Sequence, residues 1–171
     1  MSRTTTPEHA AGELKLPTDV AVLVGEVRVP EGDVAVAVSR FNGEFTTQLL
    51  ESALAELERA GVRRERVTVL VVPGAFELPA AVATLARSSR YGCVIALGCV
   101  IRGETAHFDY VAGEAAAGLR QVSVETGVPV AFGVITADTS EQARARVENG
   151  AGAVRAALET ADVFRLFHAA S

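Results

Sequence analysis

The chain has no tryptophan, two tyrosines and one methionine among its 171 residues. Aromatics amount to 5% and hydrophobic residues to 49%, so the core must be built mostly from Val, Ala and Leu, which suit helices packed closely on a sheet. Basic residues are also short: 16 Lys and Arg against 21 Asp and Glu leave a formal net charge of −5. A basic face is the footprint of nucleic-acid binding, and basic patches dock proteins to anionic membranes, so neither nucleic acid nor membrane is an expected partner. The opening residues, MSRTTTPEHAAGELK, lack the apolar stretch of a signal peptide, and runs such as VTVLVVP are too short to span a bilayer. The expectation is a cytoplasmic protein. Only two cysteines are present, Cys93 and Cys99, both within YGCVIALGCVI. If that run is one strand, six residues hold them about 20 Å apart, whereas a disulfide needs Cα atoms within roughly 7 Å. No His or second Cys pair stands at ligand spacing, so no metal site is expected. The signatures GxGxxG after a strand, GxxxxGK followed by Ser or Thr, HExxH, GxSxG and CxxC are all missing. Hydride transfer, nucleotide hydrolysis and serine hydrolysis lose support accordingly.

What is there alternates regularly. Residues 1–17 are polar, hold Pro7 and Pro17 and show no period, so they read as a flexible arm before a single domain over 18–171. VAVLVGEVRVP (20–30) and DVAVAVSRF (33–41) are β-rich runs. GEFTTQLLESALAELERAG then places Phe45, Leu49, Ala53, Leu57 and Ala60 at helical spacing, with Gly61 where a left-handed residue closes a helix. RVTVLVV, YGCVIALGCVI and PVAFGVITA read as further strands. AFELPAAVATLARS, HFDYVAGEAAAGLRQVSVETG, SEQARARVENG and AGAVRAALETADVFRLFH read as helices. Strands without polar alternation are buried on both faces, which means a parallel sheet. The expected fold is α/β, a three-layer sandwich with four parallel strands of the flavodoxin-like class. The 20–30 run is followed only by PEGD and cannot join that sheet by a standard crossover. It either forms a hairpin edge or reaches into a neighbouring subunit.

Open parallel sheets bind ligands at the carboxyl ends of their strands. Here those ends read SRFN, VPGAFE, GCVIRGETAH and VITADT. In RGETAH, Gly103 allows a sharp turn and Thr105 is a good N-cap, so the following helix could present free N–H groups to a phosphate. An ordinary capped turn would look the same, and Glu104 sits awkwardly beside an anion. His107 is the one histidine at a strand's carboxyl end. It is either a general acid–base group or a structural histidine bonded to nearby backbone. Phe41 and Phe76 follow strand ends in two loops, placed to stack on a flat heterocycle or simply to pack their loops. Glu77 is either an acceptor for hydroxyls and ring N–H groups or a favourable charge at a helix start. Arg146, in SEQARARV, either reaches a phosphate or is a solvated surface charge.

Together, SRFN, VPGAFELP, ALGCVIRGETAHFDYV and FGVITADTSEQA resemble the lumazine synthase family, over residues 33 to 167. The resemblance implies the condensation of 5-amino-6-(ribitylamino)pyrimidinedione with 3,4-dihydroxy-2-butanone 4-phosphate to 6,7-dimethyl-8-ribityllumazine, without metal or organic cofactor. It implies that Phe41 stacks on the pyrimidine, and that Ala75, Phe76 and Glu77 hold the ring and ribityl hydroxyls. Cys99, Val100 and Ile101 would contact the ring edge through backbone. Glu104 and Thr105 would bind phosphate, His107 would transfer protons, and Phe132 and Arg146 would come from the neighbouring subunit. The family's sites lie between subunits of a pentamer, in some members assembled into a sixty-subunit shell, and riboflavin synthase is an implied partner. The 20–30 run would then extend a neighbour's sheet. One departure stands out. After Arg146 the family continues through a longer, lysine-bearing segment, whereas here VENG follows and Asn149 stands where a Lys is expected. Losing one charge-assisted contact costs about 1.5–3 kcal/mol of binding. The alternative expectation is therefore a weakly catalytic relative that acts as a self-assembling shell or binds a flavin or lumazine.

Overall fold

The computed structural model describes residues 14–170. Most of the arm expected over 1–17 thus lies outside the described residues. Four strands form one parallel sheet: β1 (Asp33–Ser39), β2 (Val67–Val72), β3 (Tyr91–Ile101) and β4 (Val130–Ala137), in the order β2-β1-β3-β4. Helices α1 (Gly43–Arg59), α2 (Leu78–Arg87), α3 (His107–Thr126), α4 (Ser140–Arg144) and α5 (Asn149–Ala169) connect and follow them. This is the expected three-layer α/β sandwich with its flavodoxin-like strand order.

Side-chain parity divides the core in two. Val34, Val36 and Val38 of β1 point toward α1 and α5, where they meet Leu49, Leu57, Val154 and Leu158. Ala35 and Ala37 point the other way, toward Leu78, Val82 and Leu119 of α2 and α3. The small residues on the second face let those helices sit close to the sheet. Gly61, with φ at 85°, turns the chain out of α1, as its position after the last periodic residue requires.

The two edge strands are each open on one face, and on opposite faces. On β2, Val69 and Val71 share the α1-side parity of Val67 but are exposed. The uninterrupted VTVLVV run reads as buried on both faces, yet α1 and α5 cover the middle of the sheet and stop short of β2. On β4, Phe132 shares the parity of Val130 and Val134, toward α3, and is 49% exposed.

Among the described residues, 20–30 form no strand. They run irregularly across the amino ends of the strands, with Val20, Val22, Leu23 and Val24 exposed and Val27 packed on the core. Gly25 lies so close to α5 that a Cβ there would collide with the Glu159 carbonyl. The next amide, of Glu26, donates to Asp162 Oδ2 at 3.0 Å. Asp162 is itself buried and is gripped by the Arg165 guanidinium at 2.8 and 3.0 Å. Among the described residues, no helix is long and apolar enough to cross a membrane.

Candidate active site

The carboxyl ends of β1, β2 and β3 and the start of α3 enclose an open cavity of about 560 Å³. Its floor is the end of β3, where Cys99 and Val100 are buried and Ile101 half-buried. Its walls come from three connections that the parallel topology delivers to the same end of the sheet.

The β1–α1 turn contributes Phe41 and Asn42. Asn42 adopts the left-handed conformation, φ 56° and ψ 45°, which Asn tolerates better than most residues. Its side-chain amide donates to the Cys99 carbonyl at 2.8 Å, pinning the turn to β3. Phe41, just before this anchor, is left 73% exposed. The connection after β2 contributes Gly74, Ala75, Phe76 and Glu77. Ala75 is buried, Phe76 is exposed, and Glu77 Oε2 accepts from the Gly74 amide at 2.8 Å, closing that turn. The start of α3 contributes Gly103, Thr105, His107, Phe108, Tyr110 and Val111. Thr105 Oγ1 accepts from the His107 amide at 3.4 Å, but the N-cap position of α3 is Ala106, so Thr105 is not the N-cap that its residue type suggests, because the helix begins one residue later. Thr105 and His107 are both exposed to the cavity mouth.

Electrostatics separate these groups. Burial pushes the Cys99 thiol up to about 11, so it stays protonated at neutral pH and is no nucleophile. Arg102, the first residue beyond β3, donates from Nε to Asp138 at 2.9 Å and from Nη1 to Asp109 at 3.2 Å. The Asp138 bond is the main reason its guanidinium is held above its ordinary value. The planar group lies 4.2 Å over the Phe108 ring.

Of the residues singled out in the sequence, Phe41, Ala75, Phe76, Glu77, Cys99, Val100, Ile101, Thr105 and His107 line this one cavity. Glu104 is exposed on the same turn but outside the lining. Phe132 and Arg146 are not part of it either. Phe132 stands on the open face of β4, at the far edge of the sheet from β2. Arg146 follows α4 and donates to the Gln142 carbonyl at 2.8 Å. Asn42, Phe108 and Tyr110 were not singled out. Tyr110 is three residues after His107 on a helix, so periodicity alone puts the two on one face. Asn42 carries no such signal, because its role depends on a left-handed turn and a carbonyl 57 positions away.

A second hollow, of about 240 Å³, lies at the opposite end of the sheet among Arg28, Asp162, Arg165 and His168. Arg165 is committed to Asp162, and Arg28 leans on the same carboxylate at 3.8 Å. It serves as the clamp on residues 20–30.

Residues 31–165 match the family model for 6,7-dimethyl-8-ribityllumazine synthase. A protein of that name from Edwardsiella ictaluri (strain 93-146) is 50% identical over 151 residues, covering 85% of this chain and 97% of its own. Proteins of the same name from Yersinia pestis (strain Pestoides F) and Yersinia pseudotuberculosis serotype O:3 (strain YPIII) are each 47% identical over 150 residues, covering 84% of this chain and 96% of theirs.

Proposed function

The chain belongs to the 6,7-dimethyl-8-ribityllumazine synthase family, and from that premise we propose how its residues carry out the family's reaction. The enzyme condenses 5-amino-6-(ribitylamino)pyrimidinedione with 3,4-dihydroxy-2-butanone 4-phosphate, releasing phosphate and water, and so belongs to riboflavin biosynthesis. The observation that carries the residue roles is the gathering of nine of the twelve residues assigned roles above around one cavity, with Phe41 and Phe76 on two of its loops and the start of α3 on the third side. The weakly catalytic alternative is not favoured, since relatives at 47–50% identity bear the synthase name.

In this reading the pyrimidine stacks on Phe41, with its edge on the backbone of Cys99, Val100 and Ile101. Ala75 and Phe76 close the other side, and the free oxygen of Glu77 accepts from the ribityl hydroxyls. The phosphate sits at the start of α3, taken by N–H groups of Glu104 and Thr105 and the Thr105 hydroxyl, where the helix dipole favours a dianion. His107 then stands between amine and ketone. It takes the proton released as the amine adds, and it returns one as phosphate and water depart. Most of the acceleration comes from holding the two substrates together in the right orientation.

Phe132 and Arg146 enter from a neighbouring subunit, Phe132 against the ring and Arg146 on the phosphate. Their distance from this chain's own cavity supports that assignment, as does the open face on each edge strand. The 20–30 segment adds to a neighbour's sheet, covering apolar side chains that the subunit leaves in water. With Lys15 as the sole lysine and Asn149 in the place of another, Arg146 carries the cationic side of the phosphate grip alone. The assembly is a pentamer or a sixty-subunit shell, which light scattering separates, and co-elution with riboflavin synthase tests that partnership. Two buried free thiols fit a reducing cytoplasm.

A mixing experiment tests the intersubunit site. His107→Ala and Arg146→Ala each lower lumazine formation, about a hundredfold for His107→Ala. Dissociating and reassembling the two variants together restores part of the activity, because some sites then receive both intact residues. No recovery in well-assembled mixtures sinks the two-subunit site, and undetectable product from the unaltered protein sinks the residue assignments with it.

A further inference from the structure

We infer that Arg102 is a positioning residue that ties the turn carrying Thr105 and His107 to the segment carrying Arg146, so that one guanidinium sets the geometry of both halves of the phosphate grip. The inference rests on the proposed roles of Thr105, His107 and Arg146.

The turn itself is poorly held. Residues 102–107 are all exposed, and among the described residues no side chain from outside 103–107 hydrogen-bonds to that turn. Gly103 at its start adds freedom. What fixes the turn must act at its two ends, and Arg102 acts at both. At the near end its backbone amide donates to the Ala137 carbonyl at 2.9 Å, which continues the β3–β4 ladder by one bond. At the far end its Nη1 reaches Asp109, in the first turn of α3, at 3.2 Å. Its flat face covers the ring of Phe108, which is a wall of the cavity.

The same guanidinium points into the other half. Nε donates to Asp138 at 2.9 Å. The Asp138 amide donates to the Gln142 side-chain oxygen at 2.8 Å, and the Gln142 amide donates to Thr139 Oγ1 at 3.2 Å. The Gln142 carbonyl then receives Arg146 Nη1 at 2.8 Å. A chain of direct contacts therefore runs from α3 through Asp109, Arg102, Asp138 and Gln142 to Arg146. Since Arg146 serves a neighbour's cavity while Thr105 and His107 serve this one, each Arg102 joins two successive sites of the assembly. Arg102 is not assigned as a phosphate ligand: its Nε and Nη1 are held by two carboxylates, and it does not line the cavity.

Each of these pairs is exposed, with Arg102 at 44% and both aspartates above that, so global stability gains little from them. A positioning role thus has its own signature. In the full-length assembled protein, Arg102→Met raises KM for the phosphorylated butanone about fivefold to tenfold and leaves KM for the pyrimidine within about twofold. Arg102→Lys, which keeps the charge but cannot bridge both carboxylates in one plane, falls between. Asp138→Asn, on an exposed loop, reproduces part of the effect and adds nothing to Arg102→Met, since both break one chain. Unchanged constants in Arg102→Met and Asp138→Asn overturn the inference. So does a parallel rise for both substrates, or loss of assembly by light scattering, because either marks a merely structural role. His107→Ala and Arg146→Ala run alongside: if they too are silent, the reading of the site falls, and if they are impaired while Arg102→Met is not, the positioning role alone falls.

Discussion

The two ends of the parallel sheet are finished in opposite ways. At the amino ends of the strands the chain closes on itself. Residues 20–32 pass so near the sheet and α5 that Gly25 and Gly92 have no space for a methyl group, and Asp162 receives an amide and a guanidinium in the same buried pocket. At the carboxyl ends the chain stays open. Phe41, Phe76 and Tyr110 stand at 58% exposure or more around a cavity that no described residue fills. The first end is determined by fit, and the second is determined by what it leaves unsatisfied. A change at the closed end should therefore register as lost stability with chemistry untouched, and a change at the open end as the reverse.

The largest effect lies at the closed end. A Cβ on Gly92 would collide with the Glu31 carbonyl and press on the Pro30 ring, in a segment that the Arg66 guanidinium holds through the carbonyls of Pro30 and Gly32. Gly92→Ala therefore destabilises the fold by about 3 kcal/mol or more, against a usual cost near 1 for a point change. Denaturant unfolding measures it, and a loss below about 1 kcal/mol would show that residues 30–32 shift easily and that the end is not closed in the sense described.

The counterpart at the open end is Phe41→Ala. A side chain so exposed contributes little to folding, so stability stays within about 0.5 kcal/mol. In the proposed role the loss of the Phe41 ring costs about tenfold in KM for the pyrimidine substrate, equivalent to about 1.4 kcal/mol, and an unchanged KM would overturn that role. Equal losses in stability and in KM would erase the contrast between the two ends.

How much of this was legible in the sequence follows the same division. The strands and most of the helices between residues 33 and 169 follow from hydrophobic period and from Gly61, because those signals are local, whereas SEQARARVENG reads as one helix and α4 ends at Arg144. The open end was legible too, because strand–helix topology alone brings SRFN, VPGAFE and GCVIRGETAH to one side, and their residues then speak for themselves. The closed end was not. Nothing in VAVLVGEVRVP marks Gly25 as a contact with α5 or Asp162 as its anchor, since the partners lie 136 positions apart and only the folded chain brings them together. The open faces of β2 and β4 were hidden for a related reason: an apolar run tells that a strand will be covered, but not whether its own helices do the covering.

A subtler effect comes from acid. The amide of Glu26, followed by Arg165 and Arg28, holds the Asp162 carboxyl below its ordinary value of 3.8, against the opposing pull of burial. A carboxyl whose folded value is depressed adds stability that is complete above the unfolded value and fades as pH falls through the folded one. Protection of the Glu26 amide from hydrogen exchange, corrected for the intrinsic rate, is thus steady down to about pH 4 and falls below it. Ile95, in the middle of β3, keeps its protection over the first part of that fall. Loss of both together would mean that the clamp and the sheet open as one unit.

The smallest expected effect concerns Cys99, which belongs to both halves of the contrast: its residue forms the cavity floor, yet it is only 3% exposed. Burial raises its thiol to about 11. At pH 8 about 0.1% is then thiolate, and the thiolate is the form that alkylates. What the residue offers the cavity is backbone, and its carbonyl already accepts Asn42. Incubation of the assembled enzyme with iodoacetamide at pH 8 should therefore leave turnover within about twofold of the untreated protein, and mass spectrometry should find Cys99 and the still more deeply buried Cys93 unmodified. Rapid modification of Cys99 with loss of turnover would reveal an ionised or mobile sulfur at the floor. Such a sulfur would make the floor of the open end part of the chemistry, where its fit now reads as that of a closed surface.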